Sequence, residues 1–227
     1  VNRVAAEKYP DAKFTAFGGL CLNHPVGGLN PDAVETSLKL GAKVIWLPTN
    51  TAENHYRKNG KDPSKGVVVT RDGKAVDELQ DIFALVKQYN AVLATGHIGA
   101  EECFPVVEAA RAAGVEKIVI THPEFWVVGM TPEQQADIVR KYDVLLESVY
   151  AQPVNGGYKI NIPDNIAAMK AIGPEHFVIS TDSGQTVNPY WYESYTTYFK
   201  AVSEVFTPEQ VCKMTHDNPA WLLDIDQ

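Results

Sequence analysis

Six short apolar runs rich in valine and isoleucine recur along this chain, and a stretch with helical spacing of its apolar residues follows each one. Runs of this kind, without polar alternation, are what strands buried on both faces of a parallel sheet require. The strand candidates are 13–23 (KFTAFGGLCLN), 43–49 (KVIWLPT), 91–97 (AVLATGH), 117–122 (KIVITH), 143–150 (DVLLESVY) and 177–182 (FVISTD). Helices are expected near 31–40, 76–89, 100–113, 131–142 and 162–172, with two more at 190–206 and 208–223. Thr131 and Thr207 each stand before Pro-Glu-Gln, which gives a capping hydroxyl, a proline at the first helical position and a glutamine three residues after the cap. Gly41, Gly114 and Gly173 stand just past the periodic segments, where left-handed residues end helices. Asp72-Gly73 marks a hairpin turn within GVVVTRDGKAV.

Strict strand–helix alternation admits either an open doubly wound sheet or part of an eight-stranded barrel. No glycine-rich phosphate loop follows any strand, so the usual fingerprint of the dinucleotide-binding open sheet is absent. The first residues read as the tail of a helix feeding the first strand. The expected fold is therefore α/β, a (β/α)8 TIM-type barrel occupying 1–227 as a single domain, with six units visible. The first two units are expected upstream, on the order of 50 residues out of about 250 for a full barrel.

At 227 residues with 45% apolar content, the chain can bury one sizeable core. Its net charge of −8 comes without a basic tract, which argues against nucleic acid as a partner. No apolar run approaches the roughly 18 residues that a membrane-spanning helix needs. Cys21, Cys103 and Cys212 are odd in number and widely spaced, which suits a reducing compartment better than a disulfide framework. A cytoplasmic protein acting on a small molecule is expected, and a homo-oligomer is left open.

Both architectures place chemistry at the carboxyl ends of the strands. His97 ends AVLATGH, His122 ends KIVITH and Asp182 ends FVISTD, while Asn23-His24 ends the first run. Imidazole nitrogen and carboxylate oxygen suit Zn²⁺, Mn²⁺ or Fe²⁺, and a catalytic site keeps one position open for water. A lone histidine at a strand end is more often structural than a ligand, and Asp182 before Ser183-Gly184 also fits an Asx-turn. The coincidence of all three at strand ends favours a site. His176 serves as a control, because it precedes its strand and so belongs to the opposite rim.

Counted as strands three to eight, the runs place His97 on the fifth, His122 on the sixth and Asp182 on the eighth. This pattern resembles the amidohydrolase superfamily of TIM-barrel, metal-dependent hydrolases. The stretches LNHPVGGLNPDAVE, VIWLPT, ATGHIGAEE, ITHPEFWVVGMTPEQQ, ISTDSGQ and DNPAWLL further resemble a bacterial amidohydrolase-like subfamily of unassigned substrate. The resemblance implies a His-x-His on a first strand, which lies outside this sequence. It also implies a bridging Lys or Glu on strand four in two-metal members, but KVIWLPTN ends in Pro48-Thr49-Asn50 and offers none. The departure favours one divalent metal ion, zinc before manganese or iron. His97 and Asp182 are its expected ligands, Asp182 also takes a proton from water, and His122 polarises the substrate or serves as a third ligand.

Substrate contacts are expected from Asn23, His24, Trp46, His55, Arg57 and Trp126. Residues 50–66, which carry His55 and Arg57, are long enough for a lid, though a solvated surface loop accounts for them equally well. Glu147, inside VLLESVY, needs a partner or a place at the barrel mouth. The expected reaction is metal-assisted hydrolysis of a C–N or C–O bond in a cyclic amide, lactone or ester. A decarboxylase of the same superfamily, or a non-catalytic barrel that has lost its metal site, are the alternatives.

Overall fold

Each apolar run contributes a strand to one sheet; Val92–Ala94 and Ile118–Thr121 are buried along their whole length, whereas Gly18–Cys21 is exposed or half-buried. The computed structural model describes residues 2–11, 15–154 and 156–225. Its strands are β1 (Gly18–Cys21), β2 (Ala42–Trp46), β3 (Thr70–Arg71), β4 (Lys74–Ala75), β5 (Val92–Ala94), β6 (Ile118–Thr121), β7 (Leu145–Val149), β8 (Ala151–Val154), β9 (Gly157–Ile160) and β10 (Phe177–Ser180). Its α-helices are α1 (Asn2–Lys8), α2 (Pro31–Lys39), α3 (Glu53–Lys58), α4 (Leu79–Gln88), α5 (Ala100–Ala112), α6 (Pro132–Tyr142), α7 (Ile162–Ile172), α8 (Trp191–Ser203), α9 (Pro208–Cys212) and α10 (Asn218–Leu223).

Six strands form one parallel sheet in the order β1-β2-β5-β6-β7-β10. Every sheet strand lies beside the next sheet strand in the chain. A doubly wound sheet would reverse its order at a switch point, so the sheet is an arc of a β/α barrel. Among the described residues β1 and β10 do not pair with each other, and the arc is not closed. No described helix is long and apolar enough to cross a membrane.

Alternation along the strands divides the core. Ile45, Leu93, Ile118, Ile120, Leu146 and Phe177 pack under the helices, whereas Val92, Ala94 and Val119 turn to the concave face and meet Leu222 of α10. The helices answer with apolar stripes, as in α4, where Leu79, Ile82, Phe83 and Val86 follow i, i+3, i+4, i+7 spacing and are all buried. Truncating Phe83 to alanine there costs about 3–5 kcal/mol.

The helix starts follow their capping signals. Thr131 Oγ1 accepts from Gln134 N–H at 3.2 Å while the Gln134 side chain accepts from Thr131 N–H at 2.9 Å, and Thr207 with Gln210 repeats the arrangement. The helix expected over 208–223 is instead interrupted by a π-helical turn, Lys213–Asp217, between α9 and α10. Pro219 explains the break, because it donates no hydrogen bond and its ring collides with the carbonyl four residues earlier. The Asp72-Gly73 turn joins β3 and β4 as expected, with both residues at positive φ. A second hairpin, β8–β9, was not anticipated, since Pro153 in its first strand hides the strand signal. The first run was expected over 13–23, but its strand begins only at Gly18, and 12–14 lie outside the described residues.

At the amino ends of the strands the charges are paired. Lys117, 3% exposed, reaches Asp224, which also takes Lys43 at 3.2 Å and Asn90 Nδ2 at 3.0 Å. Asp224 thereby ties the segment after α10 to the starts of β2, β5 and β6.

Candidate active site at the carboxyl ends of the strands

The end of β5 is built to aim His97. Thr95 and Gly96 are locked to β6 by Thr121 N–H donating to Thr95 Oγ1 and Gly96 N–H donating to Thr121 Oγ1, both at 3.0 Å. Gly96 turns at φ +63°, and a Cβ there would come within 2.5 Å of the Leu47 carbonyl oxygen. Only glycine meets both demands. His97 then leaves the strand with its N–H on Pro48 O at 3.0 Å and its carbonyl accepting from Asn54 Nδ2 at 3.0 Å. Its Nδ1 lies 2.8 Å from Nδ1 of His55, and the two rings stack with centroids 4.9 Å apart.

His122, at the end of β6, holds φ +28°, a conformation that strains a residue with a Cβ. Its ring is buried, with centroids 5.0 Å from His97 and 4.8 Å from Phe125. Its Nδ1 is shielded from solvent and has no hydrogen-bond partner among the described residues. Asp182, just past β10, sits at φ +49°. The Asx-turn is not the arrangement found: Ser183 N–H bonds to Thr181 Oγ1 at 3.2 Å, and Asp182 faces the cavity beside Gln185.

His97, His122 and Asp182 line one cavity of about 520 Å³, with His55, Phe125 and Trp126 as its other principal walls. Burial, reinforced by the neighbouring imidazoles, pushes His97 down to about 2, and burial pushes His122 down to about 4. Both rings are therefore neutral at physiological pH and keep a lone pair for a ligand. Glu147 lines the same cavity from β7, which answers its need for a place at the mouth. Burial, opposed by Ser180 and aided by Asp182, raises it to about 7. Burial also raises Asp182, against the Gln185 side chain, although the residue keeps an exposed face. Among the described residues no lysine or arginine lines the cavity.

The other expected contacts divide. Trp46 and Trp126 line the cavity. Asn23, His24 and Arg57 do not. Asn23 Oδ1 accepts from the main-chain N–H of Thr49 and of Thr51, so it staples two loops together. His24 Nε2 meets Lys65 O at 2.7 Å on an exposed face. Arg57 is exposed and pairs with Glu53 at 2.7 Å, an i,i+4 contact on α3. Residues 50–66 divide: buried Asn54 ties the first part to His97 O and, at 2.8 Å, to Val127 O, whereas 57–62 are exposed as in a solvated loop. Two groups escaped sequence reading. One is the His55–His97 contact, which no local pattern announces. The other is Glu124, two residues after His122, whose carboxylate accepts from Val149 N–H at 3.2 Å and which burial raises to about 8.

A bound ion is tested by the donor set itself. Neutral imidazoles, a carboxylate and a buried ring nitrogen without a partner fit a divalent metal. His97, His122 and Asp182 share the cavity without drawing three donor atoms close together. The close trio among the described residues is the superficial group Cys212, His216 and Asp217, within 4.8 Å of one another, none of which lines the cavity.

An arc of parallel strands with histidines and an aspartate at its carboxyl rim defines a protein of β/α-barrel fold. The chain belongs to the Family of unknown function (DUF6282), whose model matches residues 2–147. No curated protein matches its sequence. Among solved structures, an amidohydrolase from Pseudomonas aeruginosa shares 12% identity at a TM-score of 0.57, over 86% of this chain and 67% of that one. A 2,6-dihydroxybenzoate decarboxylase from Rhizobium shares 16% at 0.55, over 100% and 76%. A metallo peptidase from Rhodobacter sphaeroides shares 11% at 0.55, over 88% and 60%. These likenesses concern the fold, and the chain spans 50% to 76% of the lengths of such structures.

Proposed function

We propose that this chain carries the chemical site of a metal-dependent hydrolase that cleaves a C–N or C–O bond in a small, uncharged molecule such as a lactone, ester or cyclic amide. The observation that carries the reading is the buried, unpartnered Nδ1 of His122 beside His97, in the cavity that Asp182 also lines. His97 and Asp182 would hold the ion, with His122 as a further ligand or as the group that polarises the substrate carbonyl. A divalent ion bound there, most simply zinc, acts as a Lewis acid and lowers the pKa of a coordinated water to about 7. Asp182 would accept the proton, lining the same cavity. Neutral His122 donates a hydrogen bond to a developing oxyanion through whichever nitrogen carries its proton. Buried Phe125, with Trp46 and the partly exposed Trp126, would supply apolar walls beside the reacting bond.

Charge selects the substrate class. Among the described residues the cavity presents two carboxylates, neutral imidazoles and no cation, which disfavours phosphorylated or multiply anionic molecules. A decarboxylase is the second reading, favoured by the alignment of the whole chain with the dihydroxybenzoate decarboxylase and by the aromatic walls. Purified protein loaded with Zn²⁺, Mn²⁺ or Fe²⁺ should hydrolyse members of a lactone and cyclic-amide panel, with loss of turnover in Asp182→Asn. Release of CO₂ from aromatic acids instead would move the assignment to the decarboxylase. A chain that takes up none of the three ions would leave a non-catalytic binding barrel.

A further inference from the structure

Two consecutive residues of α3 grip a single residue of the β5 rim. Asn54 donates to the main-chain carbonyl of His97 at 3.0 Å, and His55 meets the ring of the same residue at 2.8 Å, Nδ1 to Nδ1. Asn54 is 4% exposed and also holds Val127 O, so His55 is presented from a fixed base. A contact of that length between two imidazole nitrogens is a hydrogen bond only when one ring carries its proton on Nδ1 and the other does not. Just two arrangements satisfy it. Either His97 donates, and its Nε2 has a lone pair, or His55 donates, and His97 Nε2 carries a proton that no metal can share.

We propose that His55 is a positioning residue that accepts the Nδ1–H of His97 and so holds His97 in the tautomer whose Nε2 lone pair is open to a metal ion. The inference rests on the reading of His97 as a ligand. Ligating imidazoles generally anchor their second nitrogen on a fixed acceptor, and loss of such an acceptor typically costs 10–100-fold in metal affinity. The acceptor at this site is an uncharged ring where a carboxylate or a main-chain carbonyl is the usual choice, so it orients His97 without adding negative charge to a cavity that already holds Glu147 and Asp182. Asn54 and His55 thereby have a definite task. They complete the first ligand rather than cover the substrate.

The test has two independent readouts on the full chain. Long-range ¹H–¹⁵N spectra of the metal-free protein report which nitrogen of His97 is protonated, and competition with a chromophoric chelator reports affinity for Zn²⁺ and Co²⁺. The expected results are Nδ1-protonated His97 in the natural protein, a tautomer mixture in His55→Ala, and a fall in affinity of about 10–100-fold in that variant. His55→Gln, whose amide oxygen can accept and whose helix propensity is high, should recover most of the affinity and guards against a folding defect. The proposal is overturned if His97 carries its proton on Nε2 in the natural protein, or if His55→Ala binds both ions unchanged within about twofold, well short of an outer-shell effect. Should the natural protein bind neither ion, the functional reading falls, while the tautomer spectra still decide the role of His55.

Discussion

The two ends of the same strands use polar residues in opposite ways. At the amino rim, Lys117 is buried yet paired with Asp224, and Asp224 is satisfied again by Lys43 and Asn90. At the carboxyl rim, His122 Nδ1 has no partner among the described residues, and Asp182 stands near enough to raise Glu147. The fold had the means to satisfy buried charge and did so at one end. Unsatisfied polarity at the other is therefore a property of the site rather than of loose construction.

The contrast breaks first on metal. His97→Ala should lower affinity for zinc by more than about 100-fold, since even outer-shell partners of a ligand are worth roughly 10–100-fold. His176→Ala, at the amino rim, should leave it unchanged; elemental analysis of both proteins decides, and equal loss would end the distinction between rims. Stability should respond the other way. Asp224→Ala strands the buried Lys117 ammonium and is expected to cost about 1.5–3 kcal/mol in urea unfolding without altering metal content.

Acidity separates the rims more gently. Folded His97 and His122 refuse protons that the unfolded chain takes up below its ordinary value of 6.5, so stability falls as pH drops below 6.5, down to about 4 for His122 and further for His97. Glu124 works in the other direction. It keeps its proton to about 8 when folded and releases it near 4.5 when unfolded, so stability falls as pH rises from 4.5 to 8. Thermal denaturation across that range should show a weaker alkaline decline in Glu124→Gln, and an unchanged slope would remove Glu124 as its source. The smallest stability effect is expected at Asp182→Asn. Asparagine tolerates left-handed φ, so a change within about 0.5 kcal/mol should accompany loss of turnover.

Much of the fold was legible because strands buried on both faces must be continuously apolar, and Val/Ile runs at 43–49, 117–122 and 177–182 leave no other use for themselves. Boundaries were less legible. Gly96 and Asp182 still read as strand, but their positive φ ends the ladder before them. The placement of His97, His122 and Asp182 in one cavity could be anticipated from strand-end position alone. The exclusion of Asn23, His24 and Arg57 could not, because a polar residue near a strand end turns inward or outward according to loop hydrogen bonds such as those of Asn23 with Thr49 and Thr51. His55 reaches the site only through the docking of Asn54, a tertiary contact 43 residues from its acceptor on His97.

Strand order also has a temporal consequence. Each sheet strand pairs with the next in the chain, so every β/α unit can dock on its predecessor as synthesis proceeds, with modest loop-closure cost. Asp224 is the exception, joined to residues 107, 134 and 181 positions earlier. Asp224 is synthesised after all three of these partners, so Lys117 lacks that counter-ion until the segment after α10 has docked.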